Sequence, residues 1–332
     1  MPDLASIMRL NTAYAEARLL HSAVEVGIFE LLAAGPRTAE EICRARDLHP
    51  RLVRDFLDGL TALGLLEKRE EAYGNSQAAG EYLVPGGPVF IGGRVRAAAQ
   101  RHYRTWTGLT EALHDGKPKA ALGLGAMDEL YSDPAKARAF LVHMDANNAI
   151  VAPQLASVVG WSSYRSFVDI GGARGNVTAH LVEAFPHLSG GVFDLPKIEP
   201  YFTELVTERA VADRVTFHPG DFFTDPLPRA DVLVLGHVLH DWAPEDRRML
   251  LRKAFDAVPV GGAVVVYDQM LAEQHPDLAS LLGSLNVALL SDGGSEYTVT
   301  ELRDWLADAG FRFDSATRLA EGNDTVVVAH KN

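Results

Sequence analysis

The chain has 332 residues, of which 31 are Lys or Arg and 44 are Asp or Glu, so its formal net charge is −13. Hydrophobic residues make up 47% and charged residues 23%, a composition typical of a soluble globular protein and not of a disordered one. The acidic balance argues against a protein that binds nucleic-acid phosphates, because that affinity comes from clustered Lys and Arg.

Single features exclude further classes. Cys43 is the only cysteine, which excludes an internal disulfide and argues against a cysteine-based zinc site. Charged side chains interrupt the first 20 residues, so we do not expect a signal peptide. No apolar run reaches the about 18 residues that a membrane span needs. These features predict a cytoplasmic protein of about two domains that contacts neither membranes nor nucleic acids.

The N-terminal region has the pattern of a winged helix. Apolar residues recur at helical spacing over 13–34 and again over 49–63. Between these helices, Thr38 followed three residues later by Glu41 matches a capping box. Two short strands around an acidic turn then follow, at 65–68 and 72–76. This order predicts a mainly helical winged-helix domain over residues 1–93.

The remaining sequence divides into a helical segment and a sheet. Residues 94–161 are mostly helical by pattern, with a loop at 115–125. In residues 162–332, short apolar strands alternate with helices, which predicts a doubly wound, mainly parallel α/β sheet of seven strands. The predicted strands lie at 166–170, 191–194, 215–218, 232–235, 263–267, 311–313 and 325–329.

The first strand of this sheet ends in a glycine-rich loop. A dinucleotide-binding loop needs glycines at its first, third and sixth positions, but counting from Gly171 the third and sixth positions are Ala173 and Asn176. The carboxylate of Asp169 would attract a cationic group and repel a pyrophosphate. Gly171 and Gly172 let the backbone pass close to a ligand. We therefore expect a nucleoside with a positively charged tail.

Two further acids follow the next two strands. Asp194 ends the second strand, where an acid can accept hydrogen bonds from both ribose hydroxyls. Asp221 follows the third strand, where it can accept from an adenine amino group while Phe222 packs on the ring. A single aspartate at a strand end is usually a helix N-cap. Three of them in phase with the glycine loop predict S-adenosylmethionine, which becomes S-adenosylhomocysteine when the methyl group is transferred.

Taken together, these motifs resemble the small-molecule S-adenosylmethionine-dependent O-methyltransferases, typified by plant caffeic-acid-type enzymes and bacterial polyketide O-methyltransferases. The resemblance covers nearly the whole chain. It includes Leu239-His240-Asp241-Trp242 and Gly293-Gly294-Ser295-Glu296-Tyr297-Thr298, which is similar to the family's Gly-Gly-x-Glu-Arg-Thr segment. The resemblance implies a class I methyltransferase fold, with a Rossmann-like sheet. It also implies a homodimer formed through residues 1–93, and a small-molecule acceptor in a pocket to which residues 94–161 contribute.

The resemblance also assigns catalytic roles. His240 is implied to be the general base, with Asp268 and Glu296 holding its ring in position, and Trp242 is expected to pack near the cofactor. A phenol with a pKa near 10 is mostly protonated at neutral pH, so a positioned imidazole should accelerate the transfer about 10²–10⁴-fold. These roles predict O-methylation of a small aromatic or polyketide-type natural product in secondary metabolism, such as antibiotic biosynthesis.

Four residues are predicted to face the acceptor. Met144, Asn147 and Asn148 occupy positions that face the pocket in relatives, and a thioether and two amides suit a flat aromatic molecule with polar groups. An ordinary helix face explains the two asparagines equally well. His237 is assigned to packing or to acceptor contact, and no metal is expected. A strand-to-helix turn need not bring His237 beside His240, and no third ligand is evident.

Outside the segment Gly293–Thr298, four positions depart from the family pattern. Asp268 stands where many relatives have Glu, and its shorter side chain changes the reach of the carboxylate. Ala173 and Arg174 stand where relatives commonly have Gly and a small residue, so Arg174 must point away from the cofactor sulfonium. Gly236 replaces a lysine that plant relatives place near the cofactor. The last three positions bear on the affinity for the cofactor.

Other functions fit parts of the sequence. A winged helix often binds DNA, but residues 1–100 carry 11 Lys and Arg against 13 Asp and Glu, and the helix at 49–63 carries Asp55 and Asp58. These charges favour a dimerisation surface over a transcriptional regulator. C- or N-methylation, or a non-methylating reaction, needs no different fold. The presence of His240 favours O-methylation.

Overall fold

The computed structural model describes residues 3–86, 89–120 and 130–332. They form two compact units, which are Met1–Arg104 with Val142–Asn147, and Thr105–Leu141 with Asn148–Asn332. The predicted division at residues 93 and 161 stays a prediction, and the loop predicted at 115–125 lies partly outside the described residues. Across the described part of the chain, no helix combines the length and the apolar character needed to cross a bilayer.

The first unit is mainly helical and carries a small antiparallel sheet. Its strands lie in the order β1-β3-β2, with β1 at Arg37–Thr38, β2 at Leu66–Arg69 and β3 at Ala72–Asn75. The helices that lie wholly in this unit are Leu4–Glu25, Ile28–Leu32, Ala39–Arg46, Pro50–Ala62, Gln77–Tyr82 and Gly92–Ala97, followed by a π-helical turn at Ala98–His102. Helices followed by a β-ribbon are the order that the sequence predicts.

The structure confirms one local prediction in this unit and contradicts another. The capping box is present, since the N–H of Glu41 donates to the Thr38 hydroxyl and the N–H of Thr38 donates to the Glu41 carboxylate at 2.8 Å. The single helix predicted over 13–34 is wrong. The structure has two helices, Leu4–Glu25 and Ile28–Leu32, because Gly27 between them adopts a φ of +71°, which the right-handed helix cannot contain.

The second unit is built on a seven-stranded sheet in the order β6-β5-β4-β7-β8-β10-β9. The strands are β4 (Ser166–Ile170), β5 (Ser189–Asp194), β6 (Val215–Pro219), β7 (Val232–Gly236), β8 (Ala263–Asp268), β9 (Arg312–Arg318) and β10 (Thr325–His330). β4 to β8 pair in parallel, whereas β10 is antiparallel to both β8 and β9. All seven strands predicted from the sequence are confirmed, as is the mainly parallel sheet.

Both faces of this sheet are covered. In β7, Val232 and Val234 belong to one buried cluster and Leu233 and Leu235 to another, because alternate side chains of a strand point to opposite faces. The helices that lie wholly in this unit are Leu109–Asp115, Asn176–Ala184, Glu199–Glu208, Pro244–Ala257, Leu278–Leu290 and Val299–Ala309. This is why the parallel strands read as continuous apolar runs in the sequence.

The strand order reverses between β4 and β7, which are neighbours in the sheet but not in sequence. At such a reversal the loops beyond the carboxyl ends of the strands diverge and leave a crevice, where α/β sheets of this kind bind ligands. Asp169, Asp194 and Asp268 lie at the carboxyl ends of β4, β5 and β8, and His240 follows β7 at the same edge. The sheet therefore brings the predicted cofactor and catalytic residues to one edge.

One helix, Pro134–Val158, contributes to both units, because its Val142–Asn147 segment groups with the first unit. The carbonyl oxygen of Val142 would lie 2.5 Å from a Cβ placed on Gly93, so this close packing requires glycine at position 93.

Candidate active site

The glycine loop after β4 is held by Asp194. Its Oδ2 accepts a hydrogen bond from the N–H of Ala173 at 2.8 Å, and its Oδ1 accepts from the N–H of Leu195 at 2.7 Å. Ala173 has a φ of +51°, in the left-handed region that favours glycine. This conformation gives a physical reason for the glycine that the family pattern has at this position. Each Asp194 oxygen retains a second lone pair, with which it can accept from a ribose hydroxyl.

Asp169 lies beneath the same loop and is 3% exposed. Gly171 has a φ of +71°, and a Cβ on Gly172 would lie 2.8 Å from Cγ of Asp169, so neither position accommodates a side chain. Burial, together with repulsion from Asp194, raises the pKa of Asp169 to about 8, and burial raises the pKa of Asp194 to about 6. Two buried carboxylates with raised pKa values fit a cationic ligand, as expected for S-adenosylmethionine.

The loop after β6 brings Asp221 beside a group of aromatic rings. Oδ1 of Asp221 accepts a hydrogen bond from the N–H of Phe223 at 2.9 Å, which fixes the turn. The ring of Trp242 lies edge-on to both phenylalanines, at 5.8 Å from Phe222 and 4.7 Å from Phe223 between centroids. The structure thus brings Asp221, Phe222 and Trp242 together, as the predicted adenine site requires. It adds Phe223, which the sequence reasoning missed although it is the next residue.

His240 lies in a single turn of 3₁₀ helix, Leu239–Asp241, after β7. Its Nδ1 is 2.8 Å from Oε1 of Glu296 and 3.5 Å from Oδ1 of Asp268. Burial alone would lower the pKa of His240, but the carboxylates of Glu296 and Asp268 outweigh burial and raise it well above 6.5. The structure therefore brings the three predicted catalytic residues into one cluster, and Glu296 makes the direct hydrogen bond.

Asp268 is fully buried behind His240 and is held from its other side. Its Oδ2 accepts a hydrogen bond from the hydroxyl of Tyr297 at 2.5 Å. Burial raises the pKa of Asp268 to about 7. The short aspartate side chain stops 3.5 Å from Nδ1 of His240, beyond good hydrogen-bond distance, which is the change in reach that the departure from Glu implies. Tyr297, which stands where the family segment has Arg, was not predicted as part of the site.

Arg247 joins the two loops that carry the cluster, and it too was missed. Its side chain is 1% exposed, with Nε donating to the carbonyl of Trp242 at 2.7 Å and one terminal nitrogen donating to the carbonyl of Ser295 at 2.8 Å. The guanidinium also lies 4.9 Å from the ring centroid of Tyr297. Arg247 therefore fixes the loop of His240 against the loop of Glu296. It lies on a charged helix, where the sequence alone gives no signal that an arginine points inward.

His237 lies beside His240, with ring centroids 5.5 Å apart. Its Nδ1 is 3.9 Å from Oδ1 of Asp268, and its Nε2 is 3.5 Å from Oδ1 of Asp324. Both ring nitrogens therefore face carboxylates of the protein. The turn brings the two histidines together and Asp268 lies within reach as a third ligand, so the reasons that the sequence gives against a metal do not hold at this site.

Gly236 faces the ring of Tyr267. A Cβ at position 236 would lie 1.9 Å from Cζ of that ring, so the lysine of plant relatives has no room here. This gives a physical reason for the departure at Gly236. Arg174 lies within electrostatic range of Glu204, whose pKa it helps to lower, although the main cause of that shift is the hydrogen bond from Arg138. The direction that the sequence predicts for Arg174, away from the sulfonium, stays a prediction.

The predicted acceptor residues lie on the helix Pro134–Val158. Met144 and Asn147 are half-buried and Asn148 is 6% exposed. The side-chain oxygen of Asn147 is buried and has no hydrogen-bond partner among the described residues. Contact of these three residues with an acceptor stays a prediction.

Comparison with known proteins identifies both parts of the chain. Residues 8–85 match the O-methyltransferase dimerisation domain, and residues 106–312 match the O-methyltransferase domain. The chain is 47% identical to the N,N-dimethyltransferase OxyT of Streptomyces rimosus, over 95% of this chain and 92% of that protein. It is 46% identical to the tetracenomycin polyketide synthesis 8-O-methyl transferase TcmO of Streptomyces glaucescens, over 98% of this chain and 96% of that protein.

A solved structure shares the whole fold. The crystal structure of human N-acetylserotonin methyltransferase in complex with S-adenosylmethionine superposes with a TM-score of 0.91 at 25% sequence identity. The match covers 100% of this chain and 99% of that one.

Proposed function

This chain belongs to the O-methyltransferase family and is an S-adenosylmethionine-dependent methyltransferase, and we propose that it methylates a phenolic hydroxyl of an aromatic, polyketide-type acceptor with His240 as general base. The observation that carries this proposal is the 2.8 Å contact between Nδ1 of His240 and the buried Glu296 carboxylate. Glu296 accepts a hydrogen bond from Nδ1–H of His240, so Nε2 is the nitrogen that can take the proton of the phenolic hydroxyl.

S-adenosylmethionine, when bound, supplies a methyl group on a positively charged sulfur. The residues of this chain that fit it are Asp169 and Asp194, for its cationic and ribose portions, and Asp221 with Phe222 and Trp242, for adenine. Because displacement at a methyl group needs in-line alignment and little else, positioning by these residues supplies much of the rate. His240 adds the removal of the phenolic proton, and Glu296 stabilises the imidazolium that results.

The acceptor class is supported by the relatives and by one polar group. TcmO is named for a polyketide pathway, and it matches this chain over nearly its whole length. The side-chain oxygen of Asn147 is buried and has no hydrogen-bond partner among the described residues. A hydroxyl group of an aromatic substrate would donate a hydrogen bond to it. We assign Met144, Asn147 and Asn148 to this acceptor. Such an enzyme would act in antibiotic biosynthesis in the cytoplasm.

N-methylation is a second candidate, because OxyT, named as an N,N-dimethyltransferase, is as similar to this chain as TcmO. An amine acceptor also needs to lose a proton, so His240 would serve either reaction. Two substrates that are identical except that one carries a hydroxyl group where the other carries an amino group distinguish O-methylation from N-methylation.

We further propose that the first unit forms a homodimer. The helix Leu4–Glu25 exposes apolar side chains at helical spacing, including Leu4, Ile7 and Met8 at 75%, 55% and 56% exposure. A row of exposed apolar side chains on one helix is typical of a surface that packs against a partner. Light scattering should give twice the monomer mass, and Met8→Glu should lower it towards that of the monomer.

The decisive experiment for the proposed function is product analysis. The protein is incubated with S-adenosylmethionine and a matched panel of polycyclic phenols, their amino analogues and their fully O-methylated forms. Mass spectrometry should show addition of one CH₂ to the phenols, and none to the O-methylated forms, which lack an acceptor hydroxyl. Turnover of the amino analogues alone would replace the proposal with N-methylation.

A further inference from the structure

Two histidines share one carboxylate oxygen beside the proposed base. Oδ1 of Asp268 lies 3.5 Å from Nδ1 of His240 and 3.9 Å from Nδ1 of His237. One ligand atom from each of the three residues lies within 4.8 Å of the others. Ligands of a tetrahedral zinc ion lie about 2.0–2.2 Å from the metal and so a little over 3 Å from each other. Small side-chain movements would therefore place a metal ion between the three residues.

The ligand atom of Asp268 is available. Its Oδ2 accepts the Tyr297 hydroxyl, whereas Oδ1 is buried and accepts no hydrogen bond within the described part of the chain. A carboxylate that is oriented from one side and has an oxygen without a hydrogen-bond partner on the other can bind a metal ion once it is ionised. Oε1 of Glu296, which is 2.8 Å from Nδ1 of His240, is a fourth candidate ligand on the same side of that ring.

His237 has the outer partner that metal-binding histidines have. Oδ1 of Asp324 lies 3.5 Å from Nε2 of His237, on the opposite side of the ring from Asp268. A histidine that binds a metal through one nitrogen almost always donates from the other to a carboxylate, a carbonyl or a water. Asp324 is 4% exposed, and neither its Oδ1 nor Nε2 of His237 has a hydrogen-bond partner within the described residues.

The backbone of His237 is itself in an uncommon conformation. Its φ is +52°, in the left-handed region, and its N–H donates to the carbonyl of Tyr267 at 3.0 Å. A residue with a side chain seldom occupies this region, and such residues concentrate at ligand sites. Here the conformation holds the imidazole between the carboxylates of Asp268 and Asp324.

We propose that His237, His240 and Asp268 form a binding site for a divalent transition metal such as Zn²⁺, and that the bound metal inhibits the enzyme. Asp324 orients the ring of His237 in this site. Imidazole ligands favour zinc over magnesium, which prefers oxygen. A neutral imidazole bound to zinc through Nδ1 keeps its proton on Nε2, so His240 can no longer accept a proton. Only the inhibition rests on the proposed function of His240.

Zinc binding can be measured without any turnover. The full chain, with Cys43→Ser to remove the single thiol, is titrated with ZnCl₂ in a non-coordinating buffer, by calorimetry and by competition with a chromophoric chelator. We expect one tight site per chain and no comparable site for MgCl₂. His237→Asn should abolish tight binding, and Asp324→Asn should weaken it about 10–100-fold. His330→Asn is the matched control, because it removes a histidine outside the proposed site. Nε2 of His330 lies 3.9 Å from Oδ2 of Asp314.

A second measurement uses the unaltered protein and therefore does not depend on whether a variant folds. Anomalous diffraction from a zinc-soaked crystal of the unaltered protein should give a peak between His237, His240 and Asp268. Absence of that peak, or zinc affinity unchanged in both His237→Asn and Asp324→Asn, would overturn the site. If zinc occupies the site and methyl transfer continues at full rate, the site stands and the assignment of His240 as base falls.

Discussion

Oε1 of Glu296, on a side chain that is 1% exposed, accepts a hydrogen bond from Nδ1–H of His240 at 2.8 Å. Burial raises the pKa of this carboxyl, but the neighbouring imidazolium outweighs burial and leaves the pKa of Glu296 below 4.5. The ionised carboxylate therefore both orients the ring and favours its charged form. The orientation suits His240 to the proposed role of base, while the charge restricts the pH range in which its ring is free to accept a proton.

Replacing His240 by Ala should lower kcat about 10²–10⁴-fold and leave the affinity for S-adenosylmethionine nearly unchanged, because the imidazole removes a proton and lies outside the predicted cofactor residues. Single-turnover kinetics with a phenolic acceptor and calorimetry with the cofactor check the two parts. His330→Ala serves as a surface control. Full activity of His240→Ala would show that positioning alone drives the reaction.

The pH dependence of kcat/KM should show the raised pKa of His240. A base works only when deprotonated, so activity should rise with pH through a midpoint above 6.5, the ordinary value for histidine. Glu296→Gln removes the nearest negative charge, so it should move that midpoint to lower pH while also reducing kcat through loss of orientation. A midpoint that stays in place in Glu296→Gln would contradict the electrostatic role of this residue.

Binding of S-adenosylmethionine should release protons at pH 7. Asp169, with a pKa raised to about 8 by burial, is largely protonated in the free protein, and a cation beside it favours its ionised form. Calorimetry in two buffers of different ionisation enthalpy measures the number of protons. Asp169→Asn should reduce both this number and the affinity, whereas Asp213→Asn, at an exposed position, should change neither. Equal proton release in Asp169→Asn would assign the effect to another group.

Arg247→Met should lower the free energy of unfolding by about 2–5 kcal/mol, because it removes a buried guanidinium that donates to two loop carbonyls. It should also lower kcat, since the guanidinium joins the carbonyls of Trp242 and Ser295 on the two catalytic loops. Urea denaturation and initial rates measure the two effects. Arg248→Met, at a more exposed position on the same helix, is the control, and loss of stability with normal kcat would separate folding from positioning.

A Cβ at position 236 would overlap the ring of Tyr267. Gly236→Ala should therefore destabilise the protein by about 1–3 kcal/mol, as overpacking of a core does. Adding Tyr267→Val should recover part of that loss, so the two substitutions should be clearly non-additive in a double-mutant cycle. Additive effects on the free energy of unfolding would mean that a side chain at position 236 does not clash with the ring of Tyr267.

The sheet and its edge follow from the sequence because their signals are local. Apolar runs of five or six residues, such as Val232–Gly236, are typical of parallel strands that helices cover on both faces. Chain order then fixes which loops meet at one edge. The strand pattern therefore predicts Asp169 and His240 at the same edge, whereas the role of Asp268 follows from the resemblance to the family.

The partners of these residues depend on contacts that spacing does not reveal. Tyr297 reaches Asp268 from 29 positions away, and Arg247 points inward from a helix whose composition is mostly charged. Asp324 meets His237 because β10 is inserted antiparallel beside β8. A pattern of strands and helices predicts the edge of a sheet, but not which neighbouring side chain completes each hydrogen bond there.

The helix Pro134–Val158 has a consequence for how the protein can be divided. Its segment Val142–Asn147 supplies the first unit with Val142, packed on Gly93, and His143, whose ring lies 6.0 Å from that of His102. A fragment that stops at residue 104 contains Gly93 and His102 but lacks Val142 and His143. A fragment that begins at residue 105 contains Val142 and His143 but lacks the two residues on which they pack. Recombination between two relatives at that boundary would thus combine residues 1–104 of one protein with residues 142–147 of another, although these segments pack against each other. A chimaera that takes its N-terminal region and residues 142–147 from the same parent keeps that core intact.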